Sequence, residues 1–263
     1  ARSVRVDLAS QNVQYSDGIT KVTIVGEDVD SPSLTLGTAA ALPADLATAG
    51  SCTPAGDGTY CTWTLSGQAL IGAGTYPITF EVSDGSYSAS ASTAIFVDPE
   101  DAVVVFNDAN PVTARVSEPG GESPPFNLTL YVNEAFPDMA AAEAFPGDIQ
   151  LAEVSVSLVP VGTGSPAPPS DCTTESAGAG YDAVLTVNCD FADVPVNTYT
   201  VDVTVAGDYY VGSSEDAFTI YDPSLGFATG GGWFYWPGTE DKTNFGFTTK
   251  YNKKATNLIG SFL

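Results

Sequence analysis

Carboxylates form the first candidate site, because Asp28 and Asp30 make an Asp-x-Asp pair and Asp98 and Asp101 flank a Pro-Glu step. Calcium takes six to eight hard oxygen ligands, and carboxylates grouped in this way are able to supply them. No full calcium-loop pattern is present, however, and loops of a very acidic chain carry solvated carboxylates by default. Calcium is therefore the candidate cofactor, and solvated loops are the favoured alternative.

Aromatic side chains form a second candidate site near the C-terminus, in the run Trp233-Phe-Tyr-Trp236. Rings exposed on a strand can stack on sugar faces. In an alternating strand, however, half of the rings point into a core, so packing is favoured over a carbohydrate platform. The residues singled out as a candidate assembly or ligand surface are Trp233, Tyr235, Trp236, Phe245, Phe247, Lys250, Tyr251, Lys253 and Lys254.

Catalytic chemistry is poorly supported. The chain has no His, which excludes Ser-His-Asp and Cys-His nucleophile systems and His-ligated metals. Paired carboxylates are able to run glycoside hydrolysis, but among 32 acidic residues no spacing singles out one pair. We assign no catalytic residue, and the sequence predicts that the protein is not an enzyme.

The four cysteines fall into two local pairs. Cys52 and Cys61 bracket a Gly-rich turn, and Cys172 and Cys189 bracket Gly178-Ala-Gly180. Local pairing favours two intradomain disulfides among the three connectivities. Zinc ligation by four cysteines lacks the Cys-x-x-Cys spacing. Because disulfides persist in oxidising compartments, we expect a secreted or cell-surface protein.

The elements that must position these residues are strands. Nearly every periodic segment alternates apolar and polar residues, and Gly, Pro, Asn, Asp and Ser clusters separate the segments, a pattern typical of an all-β sandwich. A single helical turn is expected at Asp138–Ala144, in a loop insertion. The predicted strands are Val4–Leu8, Lys21–Val25, Ser33–Leu36, Cys61–Leu65, Tyr76–Val82, Ala94–Val97, Ala102–Phe106, Phe126–Val132, Val154–Val159, Ala183–Cys189, Tyr199–Val205 and Ala217–Tyr221.

The chain also repeats itself. Gly74–Val82 matches Asn197–Val205 at an offset of 123 residues, and Ala94–Pro99 matches Phe218–Pro223 at an offset of 124. A nearly constant offset over two blocks indicates two homologous modules in tandem. We place tandem Ig-like β-sandwiches at 1–98 and 99–222, the second with the loop insertion, and a short C-terminal β segment at 223–263.

Charge is distributed unevenly over these modules. The 263 residues carry 8 basic against 32 acidic groups, a net charge of −24. Residues 1–222 hold four basic and 30 acidic groups, whereas residues 223–263 hold four basic and two acidic groups. Such an acidic surface repels phosphate backbones, so nucleic acid is not expected as a partner. No apolar run has the length of a membrane helix, so membrane insertion is not expected.

Two resemblances accompany these patterns. Val22–Leu36, Cys61–Leu65 and Phe80–Ser86 resemble bacterial Ig-like and cadherin-like surface repeats of the adhesin type. Ala228-Thr-Gly-Gly-Gly-Trp233 followed by Lys242–Tyr251 is similar to the start of a β module that follows Ig-like and choice-of-anchor repeats in secreted bacterial proteins. These resemblances imply stalk, spacer or adhesive roles and specify fold better than function.

The C-terminal segment carries the functional hypothesis. Thr243–Tyr251 and Leu258–Leu263 read as strands of an incomplete module, and an unpaired strand is a template for pairing with another chain. We therefore expect an extracellular subunit of a surface filament or array, assembling head to tail as a homopolymer or with other surface-protein domains. The alternatives are a stalk or spacer fragment of a large adhesin, and a carbohydrate-binding module that uses the tail aromatics.

Overall fold

The computed structural model describes residues 3–135, 145–225, 227–238, 242–251 and 258–263, and the predicted helical turn at Asp138–Ala144 lies outside them. The described chain is nearly all β, and none of its short 3-10 helices (Ile149–Leu151, Gly180–Asp182 and Pro223–Leu225) has the length and apolar character needed to span a membrane. The strands are β1 (Ser3–Val6), β2 (Ser10–Gln14), β3 (Val22–Asp28), β4 (Thr35–Thr38), β5 (Leu46–Ala55), β6 (Gly58–Gly67), β7 (Gly74–Ser83), β8 (Ser88–Asp98), β9 (Glu100–Phe106), β10 (Thr113–Arg115), β11 (Phe126–Glu134), β12 (Glu153–Pro160), β13 (Asp171–Ala177), β14 (Val184–Phe191), β15 (Asn197–Ala206), β16 (Tyr210–Tyr221), β17 (Phe227–Tyr235), β18 (Lys242–Tyr251) and β19 (Leu258–Phe262).

Strands β1 to β8 form the first repeat, which consists of two four-stranded sheets. One sheet has the order β1-β3-β6-β5 and the other β2-β8-β7-β4. Neighbours are antiparallel except that β2 runs parallel to β8. Alternate side chains of both sheets fill the core, where Ile24, Leu65, Phe80 and Ile95 are fully buried. This strand order is that of an immunoglobulin sandwich.

Strands β9 to β16 reproduce the same topology as a second repeat. The order β9-β11-β14-β13 matches the first sheet, and β12-β15-β16 with β10 matches the other. Strand β10 again runs parallel to β16. The start of β16 lies beside β9 and joins both halves into one eight-stranded sheet. The prediction of tandem Ig-like β-sandwiches is confirmed.

A tyrosine marks the same corner in each repeat. The Tyr76 hydroxyl donates to the Gly72 carbonyl at 2.6 Å, and the Tyr199 hydroxyl donates to the Pro195 carbonyl at 2.8 Å. Hydrogen bonds of this kind are the tyrosine corner of immunoglobulin folds, here at the Thr-Tyr step that the two repeats share. Burial, with a smaller contribution from the Glu122 charge, raises the pKa of Tyr199 to about 12.

The strand register refines the predicted offset. Tyr76 pairs with Ile95 and Tyr199 pairs with Phe218, so both strands of this hairpin are displaced by 123 residues. The Asp-Pro match at 124 is therefore one residue out of structural register, because β16 continues through Tyr221 before Asp222.

Both predicted disulfides are present. Cys52–Cys61 joins β5 to β6 with the Cα atoms 4.0 Å apart, and Cys172–Cys189 joins β13 to β14 with the Cα atoms 4.2 Å apart. Strands β5 and β13 lie at sheet edges and are almost entirely exposed. Each disulfide therefore fastens an edge strand that contributes little to the core.

Contacts divide the described chain into two compact units that do not coincide with the predicted ranges. The first unit contains the residues up to Glu100 together with 145–148 and 207–210, and the second contains the others. Within the first unit the Tyr15 ring lies edge-on to Tyr209 and Tyr210, with centroids 5.0 and 5.6 Å apart.

Candidate functional site

The C-terminal strands form a sheet of their own. In this sheet, called the C-terminal sheet below, β18 lies between β17 and β19 and is antiparallel to both. The prediction that Thr243–Tyr251 is an unpaired strand is therefore wrong. Its main-chain groups are engaged by neighbours from the same chain, and the sheet edges in the described residues are β17 and β19.

One face of the C-terminal sheet packs against the second repeat. A Cβ built on Gly246 would lie 3.3 Å from Ala217 and 3.6 Å from Thr198, so β18 approaches β15 and β16 closely. The Thr198 and Thr248 hydroxyls are hydrogen-bonded at 3.0 Å, and both residues are buried. This inner face explains why a glycine stands between two phenylalanines in Asn-Phe-Gly-Phe.

The opposite face of the C-terminal sheet is aromatic. The rings of Phe245 and Phe247 lie across β17, where Gly232 and Gly230 leave room for them, with a Cβ on Gly230 falling 2.6 Å from the Phe247 ring. Phe234 joins the row with its centroid 6.3 Å from that of Phe245. The outer aromatic face is defined here as Phe234, Trp236, Phe245, Phe247 and Phe262.

This face is uncovered in the described structure. Phe262 is 70% exposed and Trp236 is 57% exposed, while Phe245 and Phe247 are half-buried. Phe234 and Phe262 were missed at the sequence level, although the alternation in Asn-Phe-Gly-Phe already places two phenylalanines on one side of a strand.

The preference for core packing of Trp233-Phe-Tyr-Trp236 is wrong, because none of the four rings is buried. Trp233 and Tyr235 form an edge-on pair with centroids 5.3 Å apart on the inner side of β17. The second repeat covers the sheet around Gly246 and leaves this end of β17 exposed. Lys250 and Tyr251 lie in β18 with side chains outside the described structure, and Lys253 and Lys254 lie outside the described residues.

The candidate calcium ligands are not brought together. Asp28 ends β3 and is buried, and its Oδ1 accepts the Asp30 N–H at 3.0 Å. Asp98 ends β8 in the other sheet of the first repeat, and Asp101 lies in β9. Among the described residues, no three acidic or cysteine side chains group closely enough to hold a metal ion.

The first repeat has a surface equivalent to the one that seats the C-terminal sheet. At the offset of 123, Thr198, Ala217 and Thr219 correspond to Thr75, Ala94 and Phe96. In the second repeat Thr198 and Thr219 are buried. In the first repeat Thr75 is exposed and Phe96 is 38% exposed. We call Thr75, Ala94 and Phe96 the open face of the first repeat.

Comparisons with known proteins add little to this geometry. No protein-family model matches the chain, and no curated protein matches it. Among solved structures, an endo-fucoidan hydrolase from glycoside hydrolase family 107 aligns over 83% of this chain and 29% of its own, with 14% identity and a TM-score of 0.27. Dpr2 Ig1-Ig2 in complex with DIP-Theta Ig1-Ig3 aligns over 84% and 64%, with 12% identity and a TM-score of 0.26.

The ectodomain fragment of ICAM-5, D1-D4, aligns over 100% of this chain and 98% of its own, with 8% identity and a TM-score of 0.29. The chain spans less than two thirds of the hydrolase and of the Dpr2 structure. The Ig-like character of this chain rests on its own strand order, its parallel β2–β8 and β10–β16 pairs and its two tyrosine corners.

Proposed function

We propose that the chain is an extracellular structural protein whose copies associate head to tail into a surface filament or array. The outer aromatic face carries this proposal, because a soluble protein rarely exposes a contiguous row of aromatic rings on one sheet unless the row binds something. The two disulfides support an oxidising, extracellular setting.

A second copy is the occupant that the surfaces favour. The open face of the first repeat presents Phe96, which offers an aromatic ring where the second repeat has the smaller Thr219. Residues 1–98 carry three basic and ten acidic groups, whereas residues 223–263 carry four basic and two acidic groups. Opposite net charges favour docking of one copy's C-terminal sheet on the next copy's first repeat.

The proposed contact joins the C-terminal sheet of one copy to the open face of the next copy. One free C-terminal sheet and one free open face therefore remain at the two ends of an assembly. Heterologous contacts of this kind generate open filaments unless the rotation happens to close a ring. The C-terminal sheet thus acts as the tail, and the open face of the first repeat acts as the head. The proposal assigns no catalytic role to any residue.

The test is assembly of the purified protein, followed by sedimentation velocity over a range of concentrations and by negative-stain microscopy. We expect polymers for the wild type and their loss in Phe262→Ser and in Phe96→Ser. Tyr87→Ser is the matched control, because Tyr87 is 67% exposed on the first repeat away from the open face. A monomer at every concentration, or equal loss in the control, contradicts the proposal.

Mixing the two variants sharpens the test. Phe262→Ser retains an intact head and Phe96→Ser retains an intact tail, so the mixture has one productive contact per pair of chains. We expect it to form heterodimers and nothing longer. An isologous interface would instead show no rescue on mixing.

A further inference from the structure

A cavity of about 160 Å³ lies within the second compact unit, between the second repeat and the C-terminal sheet. It is lined by the loop that follows β9, by β16 and by the facing parts of β17 and β18. An apolar cavity of about 150 Å³ is known to hold one benzene molecule, and drug-sized ligands need about 300 Å³ or more. The cavity therefore has room for one ring of about benzene's size, so the substituents of a larger ring would extend out of its opening.

The loop that forms one wall of this cavity is held in place by two asparagines. The Asn110 side chain accepts the Thr129 N–H at 2.8 Å and donates to the Thr129 carbonyl at 2.7 Å, as a strand neighbour would. Asn107 accepts the Ala109 N–H at 2.9 Å within the same loop. Because the loop is already ordered without a ligand, less conformational entropy is lost when a ligand binds.

The cavity combines an apolar floor with a polar rim. Leu128 and Val201, both buried, contribute to the lining at the bottom. Asp108, Asp216 and Asn244 also line the cavity, and one Asp216 oxygen already accepts the Ala217 N–H at 2.8 Å. The Asn244 amide nitrogen donates to the Glu215 carbonyl at 3.3 Å, which leaves the amide oxygen to accept from a ligand.

Trp233 completes the cavity. Its indole is 56% exposed, and the residue is the cross-strand partner of Asn244, so an aromatic surface and an amide stand side by side at the opening. Trp236 does not line the cavity and belongs to the outer aromatic face. The two tryptophans therefore serve separate surfaces.

We propose that this cavity binds one neutral pyranose residue. The C–H face of a sugar ring stacks on an indole, and its hydroxyls donate to carboxylate and amide oxygens. Two carboxylates in the lining repel uronic, sialic and sulfated sugars, which favours uncharged hexoses and N-acetylhexosamines. The site shares Phe245 with the outer aromatic face. Trp233, Asp108, Asp216 and Asn244 belong to neither that face nor the open face, so substitutions at these four residues test sugar binding separately from self-association.

The experiment is saturation-transfer difference NMR and tryptophan fluorescence titration with the methyl pyranosides of glucose, galactose, mannose and N-acetylglucosamine. Methyl glucuronide serves as the anionic control, and tetramethylammonium serves as a cationic probe. We expect saturation of at least one neutral pyranoside and weaker binding of the glucuronide. Absence of binding by all four neutral sugars, or preferred binding of tetramethylammonium, overturns the proposal.

Matched variants locate the site. Trp233→Ala is expected to weaken the sugar about tenfold, since loss of an aromatic stack of this kind corresponds to about one decade in Kd. Asp108→Asn, at an exposed position, is expected to weaken it less and to relieve the rejection of glucuronide. Trp236→Ala should bind as the wild type does, and equal loss in Trp233→Ala and Trp236→Ala contradicts the assignment. Phe96→Ser should bind sugar normally even if it fails to polymerise.

Discussion

The two repeats share a scaffold and differ in what covers it. Each has the same strand order, a tyrosine corner at the start of the equivalent strand and a disulfide that fastens an exposed edge strand. In the part of the chain that the structure describes, only the second repeat seats a further sheet, on Thr198, Ala217 and the residues around them. The duplicated features stabilise the fold, and the proposed recognition surfaces lie where the repeats differ: on the C-terminal sheet and on the surface that the first repeat leaves open.

The largest expected effect tests the equivalence of the two disulfides. The cysteines are 9 residues apart in the first repeat and 17 apart in the second. On the chain-entropy model, replacing either pair with serine lowers the free energy of unfolding by about 2.5 to 3 kcal/mol, with the longer loop losing slightly more. Urea unfolding of the Cys52→Ser/Cys61→Ser and Cys172→Ser/Cys189→Ser variants measures both values. Losses that differ by more than about 1 kcal/mol would show that the repeats do not use their disulfides alike.

The second-largest expected effect comes from detaching the C-terminal sheet, the feature that distinguishes the second repeat from the first. A Gly246→Val side chain would extend into Ala217 and Thr198, so the C-terminal sheet should separate from the second repeat at a loss of about 1 to 3 kcal/mol. Hydrogen exchange of the β17 and β18 amides, together with limited proteolysis after Tyr221, detects the separation, because a three-stranded sheet without its packing partner is marginally stable.

Gly37→Val is the control for this substitution. Gly37 is an exposed strand glycine of the first repeat, and a Cβ there meets only the Glu81 carbonyl, at 4.0 Å. Exchange and proteolysis should be unchanged in the control. If Gly246→Val leaves the β17 and β18 amides as protected as in the wild type, the close packing of the C-terminal sheet is wrong.

The sequence predicts the same six strands in each repeat and misses the same two. Strands β2 and β10 are short and polar, and β5 and β13 are almost entirely exposed. All four lie at sheet edges, where pairing rather than burial holds the strand, so no apolar alternation marks them. Alternation therefore finds the strands that contribute to the core and overlooks those fastened by hydrogen bonds or by a disulfide.

The site was less predictable than the fold for a related reason. The candidate residues from Trp233 to Phe247 lie in the segment that forms the C-terminal sheet, but their exposure depends on where the second repeat stops covering β17. The acceptors Asp108 and Asp216 reach the cavity from strands and loops more than 100 residues apart in sequence. No pattern within a short stretch of sequence predicts that two residues so far apart in the chain line the same cavity.

A smaller effect compares the tyrosine corners. Tyr76→Phe and Tyr199→Phe each remove one hydroxyl–carbonyl hydrogen bond, which should lower the free energy of unfolding by about 1 kcal/mol in each repeat. Thermal unfolding at pH 7 measures both losses. A loss in only one repeat would show that the two corners do not contribute alike.

The raised pKa of Tyr199 makes the free energy of unfolding depend on pH in the alkaline range. Its pKa is raised to about 12 from an ordinary value of 10.0. The neutral phenol is favoured in the folded state, so stability is complete below pH 10 and falls as pH rises toward 12, since the unfolded chain ionises first. Urea unfolding between pH 8 and 11.5 should show this decline in the wild type and a reduced decline in Tyr199→Phe. An identical decline in both contradicts the assigned cause.

The smallest effect concerns a hydrogen bond to a main-chain N–H that a carboxylate accepts in the first repeat and an amide oxygen accepts in the second. In the first repeat the pKa of Asp7 is lowered from its ordinary value of 3.8 by the Thr23 side chain and, second, by the Thr23 N–H, which donates to the Asp7 carboxylate at 2.7 Å. In the second repeat the Asn110 amide accepts the Thr129 N–H at 2.8 Å, and an amide does not titrate. Because the pKa of Asp7 is lower in the folded protein than in the unfolded chain, the stabilisation is present above pH 3.8 and is lost as pH falls through the folded value.

NMR titration from pH 5 to pH 2 should move the Thr23 amide resonance with a midpoint below 3.8. Asp7→Asn should abolish that movement, while the Thr129 resonance stays as in the wild type. A Thr23 midpoint at or above 3.8 would show that Thr23 does not stabilise the Asp7 carboxylate, and the assigned cause of its lowered pKa would be wrong.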